Sequence, residues 1–235
     1  MELASKRECF FPISKPMKFI NPYIEKLKEY PHIIFPFYQE EMTEEEAERF
    51  QKIKSSYRKI IVELGSGSGK HLIGLAGKDP NTLFVGFELR YKRTYKTALK
   101  AARAGISNLI VLRTKAESIR KYFSQNTLDA IYINFPDPWD KKRWKKHRLL
   151  TENYLAELKD LMKDDGFLSL RTDHKEYFLT VSEMLSSLSF SVKHVQEGAQ
   201  HEENHITSEF ENLFIYKGLP IFRLVAYPRA PHTGE

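Results

Sequence analysis

The run Val62-Glu63-Leu64-Gly65-Ser66-Gly67-Ser68-Gly69-Lys70 carries an apolar segment into a glycine-rich turn and out into a helical pattern. Glycines at such a turn let the backbone bend tightly and come close to a ligand. The dinucleotide fingerprint asks for Gly-x-Gly-x-x-Gly. Here the glycines are Gly65, Gly67 and Gly69, with Lys70 where the last glycine would fall. Glu63 precedes the turn, and Glu88 follows roughly twenty residues beyond it, where an acidic residue can accept both hydroxyls of a ribose. A pyrophosphate gains little from a carboxylate at the turn, whereas a cationic ligand gains an ion pair. S-adenosylmethionine, with its sulfonium and ammonium groups, fits this pattern. A dinucleotide site and a purely structural strand-to-helix turn are the alternatives.

Outward from the turn, apolar runs alternate with helical patterns. Strands are expected over 59–64, 82–87, 108–112, 128–134 and 167–170, and two closing strands over 191–195 and 219–227. Helices are expected over 70–76, 90–104, 149–162 and 175–188, with a weaker one over 116–123, a turn at 164–166 and a long polar loop over 198–211. This alternation predicts an α/β fold of Rossmann-like type: a mostly parallel seven-stranded sheet with helices on both faces, spanning residues 58–235. Residues 1–57 mix prolines, aromatics and charges and read as an irregular N-terminal arm. One short helix is expected in it, opened by Thr43 as N-cap with Glu46 at the capping-box position.

The chain has 235 residues, a single cysteine (Cys9) and a formal net charge of +6. One cysteine excludes an internal disulfide framework and fits a reducing, cytoplasmic setting. No Cys/His spacing points to zinc, so no metal is expected. No apolar run approaches the roughly 18 residues of a membrane span. The basic balance points to an acidic partner, nucleic acid first.

The positive charge is concentrated after the fourth expected strand. Asn134-Phe135-Pro136-Asp137-Pro138-Trp139 stands at that strand's C-terminal end, where open α/β sheets bind ligands. It continues as Asp140-Lys141-Lys142-Arg143-Trp144-Lys145-Lys146-His147-Arg148. Lysines and arginines neutralise phosphates, and aromatic rings stack on splayed bases. A solvated charged face is the plain alternative. The arm's Lys6, Arg7, Lys15 and Lys18 are further candidates to grip an RNA backbone.

The segment from Asn134 to Leu149 resembles the signature of the bacterial-type tRNA (guanine-N7)-methyltransferases. Val62 to Gly69, Gly86-Phe87-Glu88, Arg171-Thr172-Asp173 and Thr207-Ser208-Glu209-Phe210-Glu211 follow in that family's order. The resemblance implies a class I S-adenosylmethionine-dependent methyltransferase that modifies a guanine in the variable loop of tRNA. It implies Asp137 as the catalytic aspartate, and Lys141, Asp173 and Ser208 to Glu211 (with Glu209 and Phe210) as substrate-contacting positions. It implies no β-propeller partner, and leaves monomer and homodimer open. Two departures stand out: Lys115, followed by Ala116, occupies the position of an Asp or Asn near the adenine, and Ser208 replaces a Thr.

The chemistry agrees with these residue types. Guanine N7 has an in-plane lone pair and no proton, so it can attack a sulfonium methyl without a general base, and catalysis is mostly positioning and electrostatics. A carboxylate near the base, with Asp137 the first candidate, would stabilise the charge that develops on it. Asp173 or Glu211 could accept the two N–H donors of the guanine edge, and Lys141 could hold a phosphate or the base carbonyl. Cofactor contacts are expected from Glu63, Gly65, Gly67, Gly69, Glu88, Lys115, Ala116 and Asn134, and RNA-backbone contacts from Lys142, Arg143, Lys145, Lys146 and Arg148. Asp173 could instead cap the helix near Lys175, and Glu211 could be a surface acid. His174, His201 and His205 are expected to face solvent. An amine methyltransferase of the same fold and a non-catalytic RNA-binding module are the rival readings.

Overall fold

The structure is a computed structural model that describes residues 21–36, 41–197 and 205–228. Eight strands form one sheet: β1 (Ile34–Phe35), β2 (Lys59–Leu64), β3 (Thr82–Phe87), β4 (Leu109–Leu112), β5 (Leu128–Asn134), β6 (Met162–Thr172), β7 (Phe190–Glu197) and β8 (Phe222–Pro228). Their order is β1-β4-β3-β2-β5-β6-β8-β7, with β1 through β6 parallel and β8 antiparallel to both of its neighbours. Among the described residues seven α-helices accompany them: α1 (Tyr23–Leu27), α2 (Glu44–Ser55), α3 (Lys70–Lys78), α4 (Tyr91–Arg103), α5 (Glu152–Leu161), α6 (Lys175–Ser187) and α7 (Glu209–Tyr216).

The expected seven strands are all present, and the eighth comes from the arm. Ile34 and Phe35 pair with Val111 and Leu112, extending the sheet beyond β4. Phe35 and Phe50 are both buried in the main core beside Phe87, Tyr122 and Phe123. The arm's prolines hid this strand, since two residues are too few to show a period. Helix α2 opens as expected, with the Thr43 hydroxyl accepting from Glu46 N and the Glu46 carboxylate accepting from Thr43 N. The cationic residues at 6, 7, 15 and 18, and His201, lie outside the described residues.

The register brings the functional ends together. Glu63 stands level with Gly86 on one side and Tyr132 on the other, and Asn134 stands level with Arg171. The chain moves from β2 to β3 on one side of the sheet and later returns to place β5 on the other. The crevice at this reversal is where open α/β sheets bind ligands. All of β3 is buried, as a central strand covered on both faces should be.

Other expectations shift in detail. Residues 116–121 form a 3₁₀ turn rather than an α-helix. The expected turn at 164–166 is an irregular stretch inside β6, where a Cβ on Gly166 would lie 2.9 Å from the Leu128 carbonyl oxygen. The last three residues of the polar loop expected over 198–211 belong instead to α7, because Ser208 and Glu211 form a second capping box that starts a helix. Among the described residues no helix is long and apolar enough to cross a membrane.

Candidate active site

The glycine turn is shaped by its neighbours. Gly65, Gly67 and Gly69 all have φ between 59° and 78°, a region that side chains disfavour. At Gly69 a Cβ would also lie 2.4 Å from Thr97 Cγ2 of α4, which packs directly on the turn. At Gly65 and Gly67 the space is open, leaving bare backbone for a ligand to approach. Ser66 N donates to Phe87 O, fastening the turn to the end of β3. Gly69 offers α3 no side-chain cap, so the helix presents free N–H groups toward the same crevice.

A cavity of about 260 Å³ opens here, lined by the turn from Gly65 to Lys70, by Glu63, His71 and Asn134, and by Arg93, Ser208, Glu209, Phe210 and Leu213. Asn134 Nδ2 donates to Glu63 Oε1 at 2.9 Å and lies 3.2 Å from His71 Nδ1. Glu63 and His71 are almost fully buried. Glu63 Oε2, Asn134 Oδ1 and Ser66 Oγ are buried without a hydrogen-bond partner among the described residues. Buried acceptors left this way favour a ligand that brings donors. A buried carboxylate oxygen and a buried amide oxygen on two residues lining one cavity fit an ammonium group.

Glu88 stands just outside this cavity at the end of β3. Burial raises its carboxyl above the usual range, against the backbone amides of Arg90 and Gly67 and the charges of Arg90 and Arg93. Its Oε1 accepts from Arg90 N at 2.8 Å, and Oε2 lies 3.8 Å from Arg93. Lys115 is exposed after β4, and the carbonyl of half-buried Ala116 accepts from the Tyr154 hydroxyl.

Asp137 is exposed in a loop bounded by two residues in the left-handed region, Phe135 at φ 53° and Trp139 at φ 45°. Such conformations are sparsely populated for bulky residues and persist where the surroundings hold them. Phe135 N donates to Arg171 O of the adjacent strand, and its ring packs 5.1 Å from Phe214 of α7. Asp137 and the half-buried Asp173 therefore leave the sheet from neighbouring strands, both beyond the Asn134–Arg171 pair. The N-cap of α6 is His174, whose Nδ1 accepts from Tyr177 N, so Asp173 is not the cap.

The basic tail divides into two parts. Trp139, Trp144 and His147 form an aromatic cluster, with Trp139 6.1 Å from Trp144 and 5.5 Å from His147. Lys141 and Arg143 lie over Trp144 at 4.7 and 5.1 Å. These residues and Lys146 are exposed, and Lys145 pairs with Glu176. The Lys142 side chain lies outside the described residues. Arg148 departs from expectation. It is buried, its Nε donates to Pro138 O at 2.7 Å, and its guanidinium rests on the Tyr177 ring. It braces the Pro136–Pro138 loop from beneath and is not exposed to an RNA backbone.

Glu211 also departs from expectation. It is neither a surface acid nor a free acceptor. Oε1 accepts from His205 Nε2 at 2.9 Å, and Oε2 takes both Ser208 N at 3.2 Å and Arg171 Nη1 at 3.4 Å. Burial alone would raise its carboxyl, but hydrogen bonding from His205 and the charge of Arg171 outweigh it and hold the carboxyl below its usual range. His205 and His174 are likewise engaged rather than solvent-facing, with His174 Nε2 2.7 Å from Asp140. The Ser208 hydroxyl accepts from Glu211 N and keeps its proton for a ligand in the cavity. Glu209 reaches across to Lys100, which also donates to Ser68 O, and Phe210 is exposed beneath Arg93. Sequence reading missed His71, Arg93 and Leu213 as lining residues. His71 follows Lys70 in the first turn of α3 and carried a usable signal: that turn points at the strand ends.

The family described as "Putative methyltransferase" matches residues 57–224. A tRNA (guanine-N(7)-)-methyltransferase of Clostridioides difficile is 33% identical over 172 residues, covering 72% of this chain and 80% of the relative. One from Staphylococcus haemolyticus is 30% identical over 209 residues, covering 88% and 95%. A bifunctional glycosyltransferase/methyltransferase of Fusobacterium nucleatum is 34% identical over 84% of this chain, which spans only 31% of that protein. Among solved structures, the 16S rRNA methyltransferase KamB superposes with a TM-score of 0.64 at 14% identity, covering 84% of this chain and 99% of that one. The 16S rRNA (adenine(1408)-N(1))-methyltransferase from Catenulisporales acidiphilia superposes at 0.60 with 19% identity, covering 82% and 98%. At such identities the structural likeness speaks for the Rossmann-like methyltransferase fold alone, while the sequence relatives go further. The chain belongs to the tRNA (guanine-N7)-methyltransferase family.

Proposed function

We propose that the protein transfers a methyl group from S-adenosylmethionine to N7 of a guanine in the variable loop of tRNA. The observation that carries this reading is the pairing of two features at one sheet edge. One is the cavity with orphaned Glu63 Oε2 and Asn134 Oδ1; the other is the braced Pro136–Pro138 loop with its exposed aromatic and basic tail. The relatives' names supply the base and the atom.

The cofactor supplies a methyl group made electrophilic by the sulfonium. Glu63 and Asn134 hold its ammonium, the glycine turn lets its chain pass close to backbone, and Glu88 accepts the ribose hydroxyls. Lys115 and Ala116 border the adenine. Guanine N7 carries an in-plane lone pair and no proton, so the residues here would need only to hold the base in line with the methyl that the cofactor would supply, and no general base is required. Asp137 stabilises the positive charge passing to the base. Asp173 accepts the paired N–H donors of the guanine edge, because Glu211 is already committed. Ser208 adds a hydroxyl, Phe210 an apolar wall, and Glu209 a tie to the glycine turn through Lys100. Lys141, Lys142, Arg143, Lys145 and Lys146 meet phosphates, with Trp139 and Trp144 free to stack on an unpaired base.

The test is methyl transfer from labelled S-adenosylmethionine to an unmodified tRNA transcript, mapped by borohydride and aniline cleavage. Cleavage at one variable-loop guanine is expected. Incorporation without cleavage would move the target to another atom, such as an exocyclic amine. No incorporation with cofactor binding intact would leave an RNA-binding role.

A further inference from the structure

We propose that His71 is a positioning residue for the cofactor, acting through Asn134 by fixing which way that side-chain amide faces. The inference rests on the cofactor assignment above and adds to it a residue that acts through Asn134.

Asn134 has two ends with opposite chemistry. Its Nδ2 donates to Glu63 Oε1 and lies 3.2 Å from His71 Nδ1, while its Oδ1 is buried and unpartnered. An amide nitrogen has two hydrogens, one for each of these acceptors. His71 Nδ1 also lies 3.2 Å from Glu63 Oε2, yet that oxygen has no hydrogen bond in suitable geometry. Nδ1 therefore serves as an acceptor toward Asn134, in the tautomer that carries its proton on Nε2. His71 is 3% exposed, and its ring meets the Tyr132 ring edge-on at 5.0 Å, so the imidazole has little room to turn.

The consequence is geometric. With Glu63 and His71 both accepting from Nδ2, the amide cannot flip, because a flip would set Oδ1 against two acceptors. Oδ1 is left turned from them and unpartnered, and with Glu63 Oε2 it gives the cavity two buried acceptors for one ammonium. Without an acceptor at position 71, one of the two bonds that lock the amide is gone, and the pair is less often assembled.

The experiment compares His71→Leu with His71→Asn, which branch alike at Cγ, with thermal midpoints accounting for their difference in size. Asn places an acceptor oxygen near the position of Nδ1, and Leu places none. Binding of S-adenosylhomocysteine is measured by calorimetry, beside binding of its analogue lacking the α-amino group, with thermal midpoints recorded for each variant. His71→Leu is expected to weaken S-adenosylhomocysteine about tenfold, the size of one lost hydrogen bond, while His71→Asn stays near wild type. The deaminated analogue should bind all three proteins alike. In an Asn134→Ala background, His71→Leu should change nothing further. Equal loss in His71→Leu and His71→Asn would overturn the proposal in favour of simple ring packing. So would wild-type affinity in His71→Leu, or equal weakening of the analogue. Failure of the wild-type protein to bind S-adenosylhomocysteine would instead overturn the cofactor assignment itself, and this proposal with it.

Discussion

Arg148 and Arg143 belong to one basic run, yet one is buried under the Pro136–Pro138 loop and the other is exposed over Trp144. Their substitutions should separate cleanly. Arg148→Met is expected to cost about 1.5–3 kcal/mol of stability, as for a charged hydrogen bond, and to lower turnover without changing the salt dependence of tRNA binding. Arg143→Ala should leave the thermal midpoint in place and reduce the salt slope by about one unit. Asp137→Ala, at an exposed position, should abolish turnover while S-adenosylhomocysteine still binds in calorimetry; equal loss of both would make the aspartate structural. The Glu211 cluster adds a pH signature. Its carboxyl is held below the usual value, so its stabilisation is present at neutral pH, above the unfolded range near ~4.3, and is lost as pH falls through the lower folded value. Glu211→Gln should therefore cost stability at pH 7, and the gap to wild type in thermal midpoint should narrow as pH falls below the ordinary carboxylate range. At this scale the sequence was legible in placement, since Glu63, Gly65, Gly67 and Gly69 line one cavity with Glu88 just outside it. It was silent on which charges are buried. Nothing in a run of six lysines and arginines marks Arg148 as the one turned inward, because the partner, Pro138 O, is created by the loop itself.

Among the elements, α7 shows why a polar stretch can mislead. Its first three residues fall in the stretch that reads as loop for want of a period, yet Ser208 and Glu211 spell a capping box of the same kind as Thr43 and Glu46. The cue was present and was outweighed by the surrounding polarity. Once formed, α7 is fixed to the sheet by Arg171 and His205 at one corner, and to the glycine turn through Lys100 and Glu209. The second tie is an exposed pair and contributes little to stability. Lys100→Ala is accordingly expected to shift the thermal midpoint by less than a degree or two while raising the KM for tRNA, measured at saturating cofactor. An unchanged KM would mean that α7 needs no such tie.

Across the whole molecule, the mostly parallel sheet with helices on both faces follows from the alternation of strands and helices, and that alternation is visible from the first turn outward. The arm was the exception. Its two-residue strand is decided by tertiary pairing, and a pair so short is recognised only once Val111 and Leu112 are in place. This strand has a bearing on solubility. β4 is made of Leu109, Ile110, Val111 and Leu112, four apolar residues whose backbone would otherwise run along an open sheet margin. An uncovered hydrophobic margin is a template for another chain to add to. With Ile34 and Phe35 seated there and α1 packed on α4, that template is withheld. A chain lacking residues 21–36 should therefore fail first by self-association, seen as light scattering in the soluble fraction, before any fault in methyl transfer can be measured.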